Sequence, residues 1–243
     1  MIVSLDIVYR SYFYFQPVRT PEGALFGVEL TTNFVGAENP VRIPTELILP
    51  HINAEQELTL FCEKLSLLEE YQHFFIAQRL LVWVNINENI IDAILAGQEL
   101  ITRISQLPFI ELTINENFPD INLGADNLRL KEISQRFSLG LANFGAGLAT
   151  TKSIFDGLFS SIVMDKAFIH NLIHMHSFTP FMLAIRDQIS PFCRALLIAG
   201  IDDVVSFEKA RDIGFSAMQG SLWPAVPPEE IADLIPPVDD FSS

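Results

Sequence analysis

The sequence predicts an α/β fold, a single (β/α)8 TIM-like barrel whose first unit is a β-hairpin. Three observations support this fold. Eight short apolar runs of β-forming residues recur along the chain, longer segments of helical periodicity lie between them, and the length of 243 residues suits one barrel. Hydrophobic residues make up 49% of the chain, so a large core is expected. We therefore predict one domain, residues 1–243, with residues 236–243 as a flexible tail.

Several of the predicted strands are apolar on both faces, as expected for strands that are packed inside a barrel and covered by helices outside. The predicted strands are residues 12–18, 25–33, 81–86, 109–114, 139–144, 162–164, 195–198 and 217–219. Only a turn, residues 20–23, separates the first two strands. They are therefore predicted to pair as an antiparallel hairpin.

Six helices are predicted from apolar residues that recur at helical spacing. They span residues 53–77, 89–106, 126–136, 166–188, 203–213 and 228–235. The first begins with Asn53 and has Gln56 three residues later, which is a capping-box pattern.

The composition excludes several classes of function. The formal net charge is -15, and no Lys/Arg cluster forms a basic patch, so no direct binding of nucleic acid is expected. The N-terminal segment has no basic start and contains Asp6, so it does not resemble a signal peptide. No run reaches the roughly 18 apolar residues that a membrane helix needs. The sequence therefore predicts a cytoplasmic protein that does not bind membranes.

Familiar catalytic motifs are incomplete in this chain. His170 and His174 have the spacing of a helical zinc site, but Asn171 stands where the glutamate of an HExxH motif would be. We interpret them as part of a helical surface. The turn Gly145-Ala146-Gly147 follows a strand but lacks the rest of either nucleotide-binding fingerprint. The chain contains no GxSxG motif, which removes the commonest serine-hydrolase interpretation.

Polar residues occur at or near the ends of several otherwise apolar strands. They are Glu29, Asn85, Glu116 and Gln219. Each residue alone is well explained as a hydrogen-bonded structural group. Because barrels build their sites at the C-terminal ends of their strands, the four residues together predict a site there.

The segments Tyr14-Phe15-Gln16-Pro17-Val18 and Gly27-Val28-Glu29-Leu30 resemble the opening of the EAL-domain cyclic-di-GMP phosphodiesterases. The resemblance extends to Gln219-Gly220, almost the whole chain. It implies an EAL-type barrel, in which two divalent cations activate a water molecule against the phosphodiester. Five positions of the family's site are implied to survive, namely Glu29, Asn85, Glu116, Asp165 and Gln219.

Other positions of that site have lost their chemistry. The paired aspartates are replaced by Ala142 and Asn143, the lysine by Val163, a glutamate by Ala199 and the phosphate-binding arginine by Asn33. Losing one such group typically lowers a rate by about 10²–10⁴-fold. The resemblance therefore implies a degenerate enzyme with no catalytic residues, no cofactor and no metal.

Further blocks resemble an enterobacterial branch of this family, the anti-FlhDC factors. These blocks are residues 41–45, 109–117, 155–159 and 219–227. This resemblance implies that the partner is FlhD, a subunit of the flagellar master activator FlhD–FlhC, and that the chain represses flagellar genes and motility. The interface residues remain unknown, because a partner surface leaves no spacing rule in the sequence.

Two alternatives stay open, a cyclic-di-GMP receptor without hydrolysis and a weak phosphodiesterase. The receptor is disfavoured because Asn33 and Ala142 remove phosphate and metal contacts, which leaves an acidic pocket facing a dianionic ligand. We therefore expect no binding of cyclic di-GMP.

Overall fold

The computed structural model describes residues 1–4, 8–36, 42–44, 48–145 and 151–235. The predicted tail, residues 236–243, lies outside the described residues. So do Ala146 and Gly147 of the glycine-rich turn, and Val41 and Thr45 of the block at residues 41–45.

Eight strands close into a barrel, which confirms the predicted fold. They are β2 (Val8–Arg19), β3 (Leu25–Gly36), β5 (Leu81–Asn85), β6 (Ile110–Asn115), β7 (Leu139–Phe144), β8 (Ser161–Met164), β9 (Ala195–Ile198) and β10 (Ala217–Met218). Neighbours from β3 through β10 are parallel, and β2 closes the ring by pairing antiparallel with both β3 and β10. Two short strands that were not predicted, β1 (Ile2–Ser4) and β4 (Arg42–Pro44), extend β2 and β3.

The turn between β2 and β3 makes the first unit a hairpin, as predicted. The Thr20 N–H donates to Ala24 O at 2.8 Å, and the Gly23 N–H donates to Thr20 O at 2.9 Å. Gly23 has a φ of 88°, which a residue with a side chain rarely adopts.

The described residues form nine α-helices. They are α1 (Ala54–Glu70), α2 (Gln72–Gln78), α3 (Glu88–Ala96), α4 (Gln98–Ser105), α5 (Leu128–Arg136), α6 (Thr151–Phe155), α7 (Lys166–Leu172), α8 (Phe178–Ile189) and α9 (Val204–Arg211). The predicted capping box is confirmed, because the Gln56 N–H donates to Asn53 Oδ1 at 2.9 Å and the Asn53 N–H donates to Gln56 Oε1 at 3.0 Å. None of the described helices is both long and apolar enough to cross a membrane.

Three segments that were predicted as single helices are each divided into two helices. The predicted helix 53–77 breaks at Tyr71, the helix 89–106 breaks at Gly97, and the helix 166–188 breaks between Leu172 and Phe178. Gly97 has φ -115° and ψ 107°, an extended conformation that ends α3 and lets the chain turn into α4. The predicted final helix is a 3-10 helix, Pro228–Leu234.

The interior of the barrel contains a buried carboxylate, Glu111, which is 3% exposed. It accepts hydrogen bonds from Trp83 Nε1 at 3.0 Å, from Ser138 Oγ at 2.7 Å and from Ser161 Oγ. A Cβ at Gly140 would lie 2.8 Å from Glu111 Oε1, so glycine leaves the room that this network needs. The network links β5, β6 and β8 to one another and to Ser138, the residue that precedes β7.

Candidate functional site

A cleft of about 630 Å³ opens at the C-terminal ends of β3, β5, β6 and β7, where barrels of this kind build their sites. Helix α1 forms one wall with Glu57, Leu60, Phe61 and Lys64. The strand ends and the turns after them form the other walls. These walls include Glu29, Thr31, Asn85, Asn115 and Asn143.

Two of the residues predicted to survive from the family's site lie in this cleft. Glu29 and Asn85 both line it, on β3 and β5. Gln219 follows β10 and donates through Nε2 to Glu29 Oε2 at 3.0 Å. The structure therefore brings Glu29, Asn85 and Gln219 to one end of the barrel.

Glu116 does not line the cleft. Its neighbours Asn115 and Asn117 line the cleft, whereas Glu116 does not and is only 2% exposed. Its backbone N–H donates to Ala142 O at 3.1 Å. Neither carboxyl oxygen has a hydrogen-bond partner in the described part of the chain. Glu116 is therefore buried directly after β6 and contributes no surface to the cleft.

The two positions of the lost aspartates are occupied by groups that cannot replace them. Ala142 pairs with Asn115 in the sheet and offers no side-chain oxygen. Asn143 adopts a φ of 59°, and its Nδ2 donates to Asn115 Oδ1 at 2.7 Å. This hydrogen bond between two amides occupies the edge of the cleft where the resemblance implies bridging carboxylates.

The remaining predicted positions have structural contacts. Val163 packs on the small apolar cluster of Val18, Trp83 and Leu197. Ala199 is buried, and Asn33 pairs with Tyr12 within the hairpin. Asp165 caps α7, because its Oδ1 accepts from the Phe168 N–H at 2.7 Å.

Asp202 belongs to a separate cluster of polar and charged groups. Its carboxylate contacts Lys166 Nζ at 3.2 Å and His170 Nε2 at 3.0 Å, and it accepts from the Ser221 N–H at 2.8 Å. Burial alone would raise the pKa of Asp202, but the hydrogen bonds from Ser221 and the Lys166 ammonium lower it to about 2. His170 and His174 are both exposed, and the His170 ring contacts the Asp202 carboxylate.

The residues present do not fit a pair of divalent cations. Such ions need several oxygen ligands each, and Mg²⁺ requires near-octahedral geometry. Here Ala142 supplies no oxygen, the Asp165 carboxylate caps a helix, and the Glu116 carboxylate does not line the cleft. Across the described ranges, no group of three or more His, Cys, Asp or Glu side chains is placed to hold a metal ion.

Lys64 is a residue of the cleft that sequence reasoning missed. Burial lowers the pKa of the Lys64 ammonium to about 8, against the opposing effect of the Glu29 carboxylate. The available signal was its spacing: Lys64 follows Leu60 and Phe61 by four and three residues, so a charged residue continues an apolar stripe of α1.

The chain is similar to proteins of known name over nearly its whole length. A family model described as the EAL domain matches residues 9–225. The protein named anti-FlhC(2)FlhD(4) factor YdiV from Salmonella paratyphi B is 47% identical over 235 residues, which cover 97% of this chain and 99% of that relative. The relative of the same name from Salmonella choleraesuis is 46% identical over the same length.

Solved structures give the same fold. The crystal structure of the EAL-like domain protein YdiV matches with a TM-score of 0.87 and 42% identity, covering 93% of this chain and 97% of that one. The PaMucR phosphodiesterase in complex with c-di-GMP matches with a TM-score of 0.68 over 91% of this chain and 99% of that one. Its identity is only 18%, so this second likeness concerns the fold alone.

Proposed function

Because the chain belongs to the EAL-domain family, we propose that it is a non-catalytic member that binds the flagellar master activator FlhC(2)FlhD(4) and represses flagellar gene expression and motility. Relatives named for their action against this activator share 47% identity over 97% of the chain, which supports the transfer of that role. The fold is retained while the chemistry of the site is lost. A barrel without its chemistry still presents a surface that can bind a partner.

One observation carries the proposal. The position where the resemblance implies a metal-bridging aspartate is Ala142, and the next residue, Asn143, is hydrogen-bonded to Asn115. No carboxylate is left at that edge to place a cation against a phosphodiester. The reaction of the family therefore has no means to proceed here, and the chain acts as a binding protein.

Within the activator, we assign the contact to the FlhD subunit. The blocks that resemble the anti-FlhDC factors support this choice. The activator binds DNA and must present basic surface to it, so a chain with a net charge of -15 is attracted to it over a long range. Such steering raises the association rate at low salt more than the final affinity.

Binding can be measured with purified components. We expect the chain and FlhD, without FlhC, to elute together from a size-exclusion column at micromolar concentrations. The matched control is Glu29→Ala, which removes a carboxylate that lines the cleft and should leave FlhD binding unchanged, because the contact is expected elsewhere. Separate elution of wild type and FlhD would contradict the assignment. Lost binding by a folded Glu29→Ala variant would instead place the contact at the cleft.

A titration with cyclic di-GMP in the presence of Mg²⁺ distinguishes a receptor from a partner-binding regulator. We propose that no heat of binding is observed, because the cleft presents Glu29, Glu57 and Glu88 to a ligand with two negative charges. Saturable binding at micromolar nucleotide would favour the receptor.

Restoring the two aspartates should not restore an enzyme. We expect the double variant Ala142→Asp with Asn143→Asp to show no hydrolysis of cyclic di-GMP, because Val163 still provides no charge near the attacking water and Asn33 provides no phosphate contact. The assay is product formation followed by chromatography with Mg²⁺ or Mn²⁺ present. Measurable turnover by the double variant or by the wild type would refute the interpretation of this chain as a dead enzyme.

A further inference from the structure

Helix α1 presents a charged stripe to the cleft. Glu57, Leu60, Phe61 and Lys64 follow one another at i, i+3, i+4 and i+7, so they share one face, and all four line the cleft. Seven residues of helix correspond to a rise of about 10 Å. The cleft therefore has a carboxylate and an ammonium on one wall, about 10 Å apart along the helix and separated by apolar side chains.

The end of this stripe at Lys64 has no anion close to its ammonium among the described residues. Within the described ranges, no hydrogen bond or ion pair to the Lys64 ammonium is seen, and the Glu29 carboxylate acts on it only as a neighbouring charge. A half-buried charge without a hydrogen-bonded partner is costly, so this end favours a small anionic group. The carboxylate at the Glu57 end accepts one hydrogen bond, from Asn89 Nδ2 at 2.7 Å, and can also pair with a cation.

Five amide side chains, which we call the asparagine wall, make up part of the remaining lining of the cleft. Asparagines follow one another from the ends of β5, β6 and β7. They are Asn85, Asn87, Asn115, Asn117 and Asn143. An amide side chain both donates and accepts hydrogen bonds, as a peptide group does. Such a wall suits a ligand that contains peptide groups better than one that contains phosphates.

We propose that this cleft binds a short zwitterionic peptide of two or three residues without a metal. Its terminal carboxylate pairs with Lys64, its terminal ammonium pairs with Glu57, and its peptide groups contact the asparagine wall. An extended peptide of this length spans about 7–10 Å, which matches the separation of the two charges. The volume of about 630 Å³ is ample for such a ligand.

Other charge types fit this cleft less well. A dianion meets the three carboxylates of Glu29, Glu57 and Glu88 and only one ammonium. A simple cation leaves Lys64 unpaired. Only a ligand with one charge of each sign satisfies both ends of the stripe.

The test is a calorimetric titration with the tripeptide Ala-Leu-Ala in free, N-acetylated and C-amidated forms. We expect the free form to bind and each cap to weaken binding about tenfold, which is the usual size of one charge-assisted contact. Two variants then show which residue binds each end of the peptide. Lys64→Met should remove the difference between the free and amidated forms, and Glu57→Gln should remove the difference between the free and acetylated forms.

The pH dependence gives a second measurement. The Lys64 ammonium is present below a pKa of about 8, so affinity for the N-acetylated tripeptide, whose only charge is its carboxylate, should hold near neutral pH and fall as pH rises through that value. The other charged side chains that line this cleft in the described part of the chain are Glu29 on β3, Glu57 on α1 and Glu88 on α3. In Lys64→Arg, whose side chain stays charged, binding should persist to higher pH.

Lys131→Met is the matched control, because Lys131 is an exposed lysine on α5 and away from the cleft. It should bind all three forms as wild type does. Thermal melting will show whether Lys64→Met is folded. If Lys64→Met does not fold, the binding of the three peptide forms by Lys64→Arg still tests the proposal. No saturable binding of the free tripeptide at millimolar concentration, or equal binding of all three forms, would overturn the proposal.

Discussion

Over-expression of this chain in a motile Salmonella strain that lacks its own anti-FlhC(2)FlhD(4) factor should abolish swimming at any cellular level of cyclic di-GMP. The reason is that the proposed contact is with the activator itself, and we propose that the cleft neither cleaves nor binds the nucleotide. The measurement is the diameter of the swimming zone in soft agar, together with a reporter for flagellar gene expression. Co-expression of an active phosphodiesterase or of a cyclase varies the nucleotide level.

Two controls make this experiment specific. Glu29→Ala should repress as wild type does, because it alters the cleft and leaves the proposed contact intact. An active phosphodiesterase expressed alone should change the nucleotide level without this repression. Swimming that is restored when cyclic di-GMP is lowered would contradict the proposal and would return the nucleotide to the mechanism.

The strands of the barrel could be predicted from the sequence because burial on two faces leaves a clear signature. The run Ala195–Ile198, for example, is apolar throughout and buried throughout. In a barrel such a run has one packing partner inside and a helix outside, so neither face tolerates polar residues. Strands β1 and β4 were missed because each has three residues and too short a pattern to detect.

The helix breaks could not be predicted from periodicity. Helix α3 buries Ile90, Ile91 and Ile94, and α4 buries Ile104. Both helices turn their apolar faces toward the same barrel, so the apolar spacing continues across the corner at Gly97. A single glycine inside an apolar pattern costs only about 1 kcal/mol in a helix, which is too weak a signal to place a break.

The site was predictable in part, for a geometric reason. Glu29 and Asn85 lie on strands, where the alternation of side chains fixes the face on which each residue lies. Glu116 lies one residue beyond the end of β6, where a shift of one position moves a side chain to the other face. Asn115 and Asn117 accordingly line the cleft, while Glu116 is buried and does not line it. Lys64 was missed because it comes from a helix rather than from a strand end.

The buried network in the barrel interior leads to the largest change in stability that we expect from one substitution. Glu111→Ala should lower the free energy of unfolding by about 3 kcal/mol. The change removes the acceptor of Ser138 and Ser161 and one acceptor of Trp83, and it leaves a cavity between strands. For a domain of this size that loss corresponds to a fall in melting temperature of about 6–12 °C.

The more conservative variant Glu111→Gln separates the contribution of the hydrogen bonds to stability from the contribution of the side-chain volume. Its amide retains one acceptor for Trp83 and Ser161, but its N–H₂ group then faces the Ser138 hydroxyl, so we expect about half the loss. The matched control is Glu132→Ala. Glu132 is exposed on α5 and pairs with Arg136 at 2.9 Å, and an exposed pair of this kind contributes at most about 0.5 kcal/mol.

Thermal and urea denaturation followed by circular dichroism measure all three variants. Glu132→Ala should be the most stable of the three variants, Glu111→Gln should be intermediate and Glu111→Ala should be the least stable. The free energy of unfolding of Glu111→Ala should be clearly below that of wild type. If Glu111→Ala melted together with Glu132→Ala, the three hydrogen bonds of Glu111 would not stabilise the barrel. The requirement for glycine at position 140, whose Cβ would lie 2.8 Å from this carboxylate, would then need another cause.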